Sequence, residues 1–450
     1  MPTLALSMIV RDAEKWLTGC LESVRGTVDE IVIADTGSLD TSVEIARQFN
    51  AQVVLSPWED DYAKARNASL AAVRSDWVLV LDADERLDSS APKVLRSLLL
   101  NEPVLGYQVT LRNYFRSFVN RLWDRAALPN KFGPAFAREF PLYADHENVR
   151  LFRRHPQIFF EGCIHESVLR AMARAGATPA HSNLVIHHLG LSFDMENMAR
   201  KYIRYRELGR KKLREMPDDA QAHLELGLEE SEHFGDQTGA LKLFERACEL
   251  EPRMIEAWLF RSRTLLRLGR FPEAAECAER AEMMGSSTVM APEIAGDAHY
   301  NHGQFEKARN AYRRAVLVDS RSPELRSKLG LAEVRMGRGP AGLRQLREAL
   351  SLDPRSASLY DRLIAANVLL GRCEQAAEMS EQKLATAAAP QPEFFLRAAS
   401  LRLKSGDAKR AHELLEQGIA LFPESPKLRD AILQITSSQT PGKPSAALDT

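Results

Sequence analysis

Six glycines set a ruler along the second half of the chain. Gly235, Gly269, Gly303, Gly337, Gly371 and Gly406 stand 34, 34, 34, 34 and 35 residues apart. Five residues after each comes a small residue: Ala240, Ala274, Ala308, Gly342, Ala376 and Ala411. Pro252, Pro354 and Pro423 fall at the ends of units in the same register. Small residues let paired helices approach closely, and the prolines end the second helix of a pair. The spacing therefore predicts six helix pairs over residues 218–435, stacked as a curved solenoid. The period begins near Asp218, so the residues before it need a different architecture.

Length agrees with a division, since 450 residues exceed one ordinary core. Lys+Arg is 60 and Asp+Glu is 61, a balance that argues against nucleic acid as a partner. The five cysteines are scattered and never in a Cys-x-x-Cys pair, which reads as reduced thiols in a cytoplasmic protein with no zinc site. No apolar run reaches the length of a membrane span. Leu4 to Val10 runs directly into Arg11, Asp12 and Glu14, without the basic lead or cleavage site of a signal peptide, and reads as a first strand.

Strands and helices then alternate. Strands are expected at Leu4–Val10, Glu30–Ala34, Val53–Leu55 and Trp77–Leu81, with helices at Ala13–Val24, Val43–Phe49 and Tyr62–Val73. Asp40 is a natural N-cap for the second helix. This rhythm indicates a doubly wound, nucleotide-binding half-domain. After Leu100 the pattern becomes mixed. Strands are expected at Tyr107–Phe115, Val149–Phe152, Gln157–Phe160 and Asn183–Ile186, which would supply the acceptor side of a cleft. A basic helix from Arg200 to Arg214 reads as a solvated connector over 196–217. Residues 436–450, rich in Ser, Pro and small residues, read as a disordered tail.

The chemistry concentrates at Trp77-Val-Leu-Val-Leu-Asp-Ala-Asp-Glu85. Four apolar residues suit a strand buried on both faces, and ligand crevices in open α/β sheets lie beyond the carboxyl ends of strands. Two carboxylates two residues apart on an extended chain point the same way. Asp82 and Asp84 then repel unless a cation or a hydrogen-bonding ligand relieves them. That is a place for a hard metal and a sugar-phosphate.

The 34-residue period, with Ala308, Tyr312 and Ala315 in one unit and Ala240, Phe244, Ala247 and Pro252 in another, resembles tetratricopeptide (TPR) repeats. Units five and six are looser, with Lys383 and Gly418 where alanine is usual. In the first half four motifs occur in order: the first strand, Asp35-Thr36-Gly37-Ser38, Trp58-Glu59-Asp60-Asp61-Tyr62 followed by Ala65-Arg66-Asn67, and Trp77 to Glu85. Here the stretch from about Leu4 to Leu191, in an expected domain of residues 1–195, resembles glycosyltransferase family 2, the inverting, metal-dependent enzymes of the GT-A fold, in the branch joined to TPR repeats, with Leu191 where an aromatic is usual.

The resemblance implies an α/β GT-A domain, Rossmann-like and built for nucleotide-diphospho-sugars, followed by an all-α TPR solenoid. It implies that Asp35 hydrogen-bonds the base of a nucleotide sugar, commonly uracil, and that Arg66 and Asn67 lie against the nucleotide. It implies that Asp82 meets the ribose and Asp84 the divalent metal, Mn²⁺ or Mg²⁺. His188, two before Gly190, fits a His-x-Gly pattern that brings a late histidine to the metal. Glu166 in Glu161-Gly-Cys-Ile-His-Glu166 is the implied catalytic base, with Glu161 as its substitute. Arg150 and Arg153 align with an Arg-Leu-Phe element near the acceptor cleft. Each position also has a plainer role. Asp35 can cap its own turn, Asp60 and Asp61 either touch the base or cap the next helix, and Glu166 can favour a helix start.

Two functions of different class follow. One is an inverting glycosyltransferase using a nucleotide-sugar donor, with the repeats recruiting a protein or peptide acceptor; transfer to polysaccharide or lipid-linked glycan is its rival. The other is a catalytically silent scaffold. Phosphoryl or nucleotidyl transfer is disfavoured, because no Gly-rich loop with Lys is present. The sugar and the oligomeric state, a homo-oligomer included, are left open.

Overall fold

A computed structural model describes residues 2–116, 121–122, 125–190, 195–387 and 389–438. The tail expected to be disordered lies outside the described residues from 439 on, as does Leu191. The chain forms two compact units, Met1–Glu251 and Pro252–Thr450.

The first unit is built on a nine-stranded sheet. Strands β1 (Leu4–Val10), β2 (Glu30–Asp35), β3 (Gln52–Leu55) and β4 (Trp77–Val80) are parallel, in the order β3-β2-β1-β4. Helices α1 (Glu14–Val24), α2 (Ser42–Gln48) and α3 (Tyr62–Ala72) connect them. The chain continues through β5 (Glu85–Leu87), α4 (Ala91–Leu99), β6 (Gly106–Phe115), a small β7 (Arg121–Leu122) and β8 (Arg125–Ala126) pair, and β9 (Leu128–Pro129). A 3-10 turn at Ala135–Ala137, β10 (Leu142–Arg153), α5 (Leu169–Arg174) and β11 (Ala180–His188) follow. The sheet extends from β4 as β10-β6-β11-β5, with β9 beside β10.

Side-chain parity explains the layers. Leu4, Leu6 and Met8 of β1 and Trp77 and Leu79 of β4 face α1, α2 and α4 in one core. Ala5, Val78 and Val80 face α3 and α5 in the other. A strand buried on both faces must be apolar throughout, as Trp77–Val80 is, and each such Val or Leu contributes roughly 1.5–3 kcal/mol.

Two local expectations fail. Gln157–Phe160 alternates like a strand, with Ile158 and Phe160 buried, yet it joins no ladder. The amide of Asn67 takes the place of a neighbouring strand, accepting from Phe160 N at 2.9 Å and donating to Phe160 O at 2.9 Å. The basic helix α6 (Met195–Glu215) is not a solvated connector. Leu208 packs with Cys163 and Ile164, and Lys212 is only 4% exposed. Helices α7 (Ala220–Glu232) and α8 (Gln237–Leu250), the first helix pair, lie within this unit as well.

The second unit is all helix. Pairs α9 (Ile255–Arg267) and α10 (Phe271–Met283), α11 (Met290–Asn301) and α12 (Phe305–Val318), and α13 (Pro323–Arg335) and α14 (Gly339–Leu352) come first. Then come α15 (Ala357–Leu369) and α16 (Cys373–Thr386), α17 (Pro392–Lys404) and α18 (Ala408–Leu421), and a last helix α19 (Pro426–Ser438). The ruler glycines end the first helix of each pair in the left-handed region, with φ between 69° and 87°. At Gly269, for example, Gly269 N donates to Leu266 O and Arg270 N to Leu265 O, which satisfies carbonyls the helix end leaves open. The small residues five positions later are fully buried, and a Cβ on Gly342 would stand 2.5 Å from Gly330 O. Lys383, the odd residue of unit five, replaces alanine by pairing with Asp361 at 2.7 Å and lying over Phe394.

Candidate active site

The carboxyl ends of β1, β2 and β4 open into a cavity of about 1310 Å³. Val10, Thr36, Asp82 and Asp84 line it from the strand ends, and Arg66 from α3. Arg150 comes from β10, and Glu166 from the loop before α5. Trp58 and Tyr62 add aromatic surface, and α6 adds Lys201, Arg204 and Tyr205.

Arg66 is the hub. Its Nη2 donates to Asp82 Oδ1 at 2.7 Å and its Nε to Glu166 Oε1 at 2.5 Å. Burial works against the guanidinium charge, but the Asp82 and Glu166 carboxylates more than reverse this and hold Arg66 protonated. Arg150 Nη2 lies 3.3 Å from both Asp82 Oδ2 and Glu85 Oε1. Burial raises the Asp82 carboxyl, yet the charges of Arg66 and Arg150 carry it far below the usual range. Glu85 has the opposite fate. Burial, reinforced by Asp82 and opposed by Arg150, pushes it up to about 7. Its Oε2 accepts from Asp82 N at 2.8 Å, so it fixes the turn.

That turn corrects the picture of two carboxylates on one extended face. β4 ends at Val80, and Glu85 N donates to Asp82 O at 2.9 Å, folding the chain back. The carboxylates meet different partners. Asp82 faces the two arginines, and Asp84 Oδ2 lies 3.3 Å from His188 Nε2.

The Asp84–His188 pair suits a divalent ion. His188 Nδ1 is 2.8 Å from Asn113 Oδ1. The Asn113 amide nitrogen is within 3.3 Å of the Leu111 and Ala144 carbonyls, which leaves its oxygen to accept from His188. With Nδ1 carrying the proton, the lone pair of a neutral Nε2 points at a carboxylate oxygen. Two acceptors at that distance need a proton or a cation between them. Burial lowers the His188 pKa, but the Asp84 hydrogen bond and nearby carboxylates raise it overall. Among the described residues no group of three or more His, Cys, Asp or Glu gathers for a metal. A carboxylate completed by phosphate and water is the usual setting of Mg²⁺ and Mn²⁺, to which His188 would add one nitrogen ligand.

Several expected residues stand apart from the cavity lining. Asp35 is buried and accepts from Gly37 N and Ser38 N, the turn-capping role, while Thr36 beside it faces the cavity. Asn67 is committed to Phe160. Glu161 pairs with Arg174 at 2.8 Å, leaving Glu166 as the carboxylate of that loop in the cavity. Arg153 anchors its strand through Val104 O and the Trp77 ring. Asp61 caps α3 through Lys64 N, whereas Asp60 does line the cavity and pairs there with Arg204 at 2.6 Å. His187 is held between Tyr114 and Asp88.

Sequence reasoning missed Glu85, Asn113 and the α6 residues. Glu85 was in view as the last residue of the acidic run. Nothing in a strand sequence marks Asn113 as a histidine's partner.

Residues 6–158 match the family model for glycosyl transferase family 2. Residues 234–287 match a tetratricopeptide repeat model and 296–337 a TPR repeat model. The chain carries a glycosyl transferase family 2 domain followed by TPR repeats. A TPR repeat-containing protein of Synechococcus elongatus is 44% identical over 109 residues, 24% of this chain and 27% of that protein. An uncharacterized glycosyltransferase of Rickettsia typhi is 27% identical over 119 residues, 26% of this chain and 40% of that one. The SPbeta prophage-derived glycosyltransferase SunS of Bacillus subtilis is 23% identical over 222 residues, 48% and 47% of the two chains. The chain spans less than half the length of these curated relatives. The transferase domain thus holds the whole Arg66–Asp82–Glu85–Arg150 cluster, whereas Glu166 and His188 follow the matched segment. Among the described residues no helix is long and apolar enough to cross a membrane.

Proposed function

We propose that this protein is a metal-dependent, inverting glycosyltransferase that takes a sugar from a nucleotide-diphosphate donor, a UDP-sugar in the first instance. The observation that carries the reading is the meeting of Asp82, Asp84, Arg66, Arg150 and Glu166 around one cavity at the strand ends, with His188 on Asp84. A silent scaffold has no physical need for two buried arginines and three carboxylates gathered at the strand ends.

In this reading Arg66 and Arg150 offer donors to the diphosphate and Asp82 meets the ribose. Asp84 and His188 would hold Mn²⁺ or Mg²⁺, which neutralises charge gathering on the departing nucleoside diphosphate. Glu166 takes the proton of an acceptor hydroxyl or thiol as that atom bonds to the anomeric carbon and the bond to the diphosphate breaks. Attack from the opposite face inverts the centre. Glu166 Oε1 accepts from Arg66 Nε. A diphosphate competing for Arg66 would free the carboxylate, so donor binds before acceptor. Asp35 and Asn67 act through the backbone they hold. The repeats recruit a protein or peptide acceptor, in a cytoplasmic setting that suits five free cysteines.

A screen of UDP-sugars with Mn²⁺ and Mg²⁺, on wild type and Glu166→Gln, tests this. Metal-dependent donor binding and turnover are expected. Glu166→Gln should keep donor binding and lose roughly 10²–10⁴ of the transfer rate. An unaffected transfer rate removes Glu166 as base. No binding and no turnover across the panel would leave the scaffold.

A further inference from the structure

The loop that carries Glu166 is an improbable one to hold still. Gly162 has φ 94°, which a glycine adopts freely, and His165, a non-glycine, has φ 49°, a strained conformation that persists only when the surroundings enforce it. Much of that enforcement comes from α6. Lys212 Nζ donates to Ile164 O at 3.0 Å, and Cys163 Sγ donates to Leu208 O at 3.3 Å. Contact is close enough that a Cβ on Gly162 would stand 2.9 Å from Lys212 Cε, so the glycine leaves room for the lysine.

A buried ammonium requires an anion, and the repeat region supplies it. Glu225 on α7, the first helix of the first pair, accepts from Lys212 Nζ at 2.8 Å, and its other oxygen accepts from Gln221 at 3.1 Å. The division of the chain after Glu251 keeps all of these groups in one compact unit.

We propose that Lys212, held by Glu225 of the first repeat helix, is a positioning residue that fixes the Glu166 loop against the cavity. The first helix pair is then part of the catalytic unit. The role given to Glu166 rests on the glycosyltransferase reading above, while the bracing of the loop does not.

The experiment compares full-length wild type, Lys212→Met, and the double variant Lys212→Met/Glu225→Leu. The single variant leaves a partly buried carboxylate without its cation and loses stability. The double variant removes both charges, and apolar replacement of such a pair is often neutral for folding. Amide exchange at Glu161 and Ser167, which bond to each other across the loop, is the first readout. The double variant should melt near wild type and exchange at these two amides at least about ten-fold faster, with the other repeats unchanged. With a donor in hand, turnover should fall roughly 10–100-fold while donor KM stays within about two-fold. Wild-type exchange in the double variant overturns the proposal, and so does faster exchange with wild-type turnover. Faster exchange in a protein that turns over no donor upholds the bracing and refutes the enzymatic reading. A harmless Glu166→Gln beside a slowed double variant places the base elsewhere on the loop.

Discussion

Charge is handled in opposite ways by the cavity and by the repeats. Along the repeat helices each of several cations reaches back one unit to a carboxylate that suits it. Lys328 meets Glu293 at 2.9 Å and Asp297 at 2.7 Å, Arg362 meets Glu324 and Ser327, and Arg397 meets Asp361, which also pairs with Lys383 of its own helix pair. Tyr312 completes the Lys328 group by donating to Asp297 at 2.7 Å. In the cavity three carboxylates, Asp82, Glu85 and Glu166, share two arginines, and each arginine keeps a buried donor unfilled. Open donors occur in the repeats too, at Arg309 Nε and Arg326 Nε, so what sets the cavity apart is the crowding of three carboxylates on two arginines at the strand ends, a balance that an arriving ligand would change.

The largest expected effect breaks the cavity side alone. Asp84→Ala removes the carboxylate paired with His188 and should abolish metal-dependent donor binding, read by calorimetry with UDP and Mn²⁺. Turnover should fall by several kcal/mol of barrier, at least about a thousand-fold. The Asp84 side chain is partly exposed, so stability should change by less than about 1 kcal/mol. Unchanged metal-dependent binding would dissolve the contrast between the two regions.

Next comes the repeat side. Lys328→Met leaves Glu293 and Asp297 facing each other in a partly buried site and should cost roughly 2–4 kcal/mol in urea unfolding. UDP binding should not move. A variant that loses donor affinity with no loss of stability would show the ladder to be functional rather than structural.

The sequence exposes these two regions unequally, for physical reasons. A 34-residue period is legible because each ruler glycine answers a backbone requirement, a left-handed helix end, that few other residues meet without strain. Asp82 and Asp84 are legible only in context, because acidic triplets are common at strand ends and this one gains meaning from the Asp35-Thr36-Gly37-Ser38 and Ala65-Arg66-Asn67 motifs before it. Asp35 and Asn67 are ambiguous by nature, since the atoms that could bind a nucleotide serve equally to cap a turn or pin Phe160. Lys212 was hidden by its own chemistry. A lysine on a basic helix reads as solvated, and only the fold shows that Ile164 and Glu225 surround it. Glu85 was hidden likewise, because burial is invisible in a strand-end glutamate.

The smallest effect sharpens the comparison at its border, where each side holds one carboxyl raised to about 7: Glu85 in the cavity and Glu229 on α7. Burial raises Glu229, Lys201 opposes it and Glu230 adds to it; His233, 4.0 Å away, is itself pushed down by burial. An unfolded glutamate titrates near about 4.3, so between there and about 7 the folded state binds the extra proton. Linkage then makes stability fall as pH rises through that window, and at pH 8 the Glu229 carboxylate costs roughly 1–3 kcal/mol. Glu229→Gln removes that cost. The variant should be more stable than wild type at pH 8 by that amount, and the gap should shrink to about a third of its size at about pH 5. A residual slope from Glu85 should survive, because its carboxyl answers to Asp82 and Arg150 and not to the repeats. Unfolding curves collected from pH 5 to pH 8 measure both. A Glu229→Gln variant no more stable than wild type at pH 8 would mean that water reaches this carboxylate, and that the first repeat meets α6 less tightly than the Lys212–Glu225 brace requires.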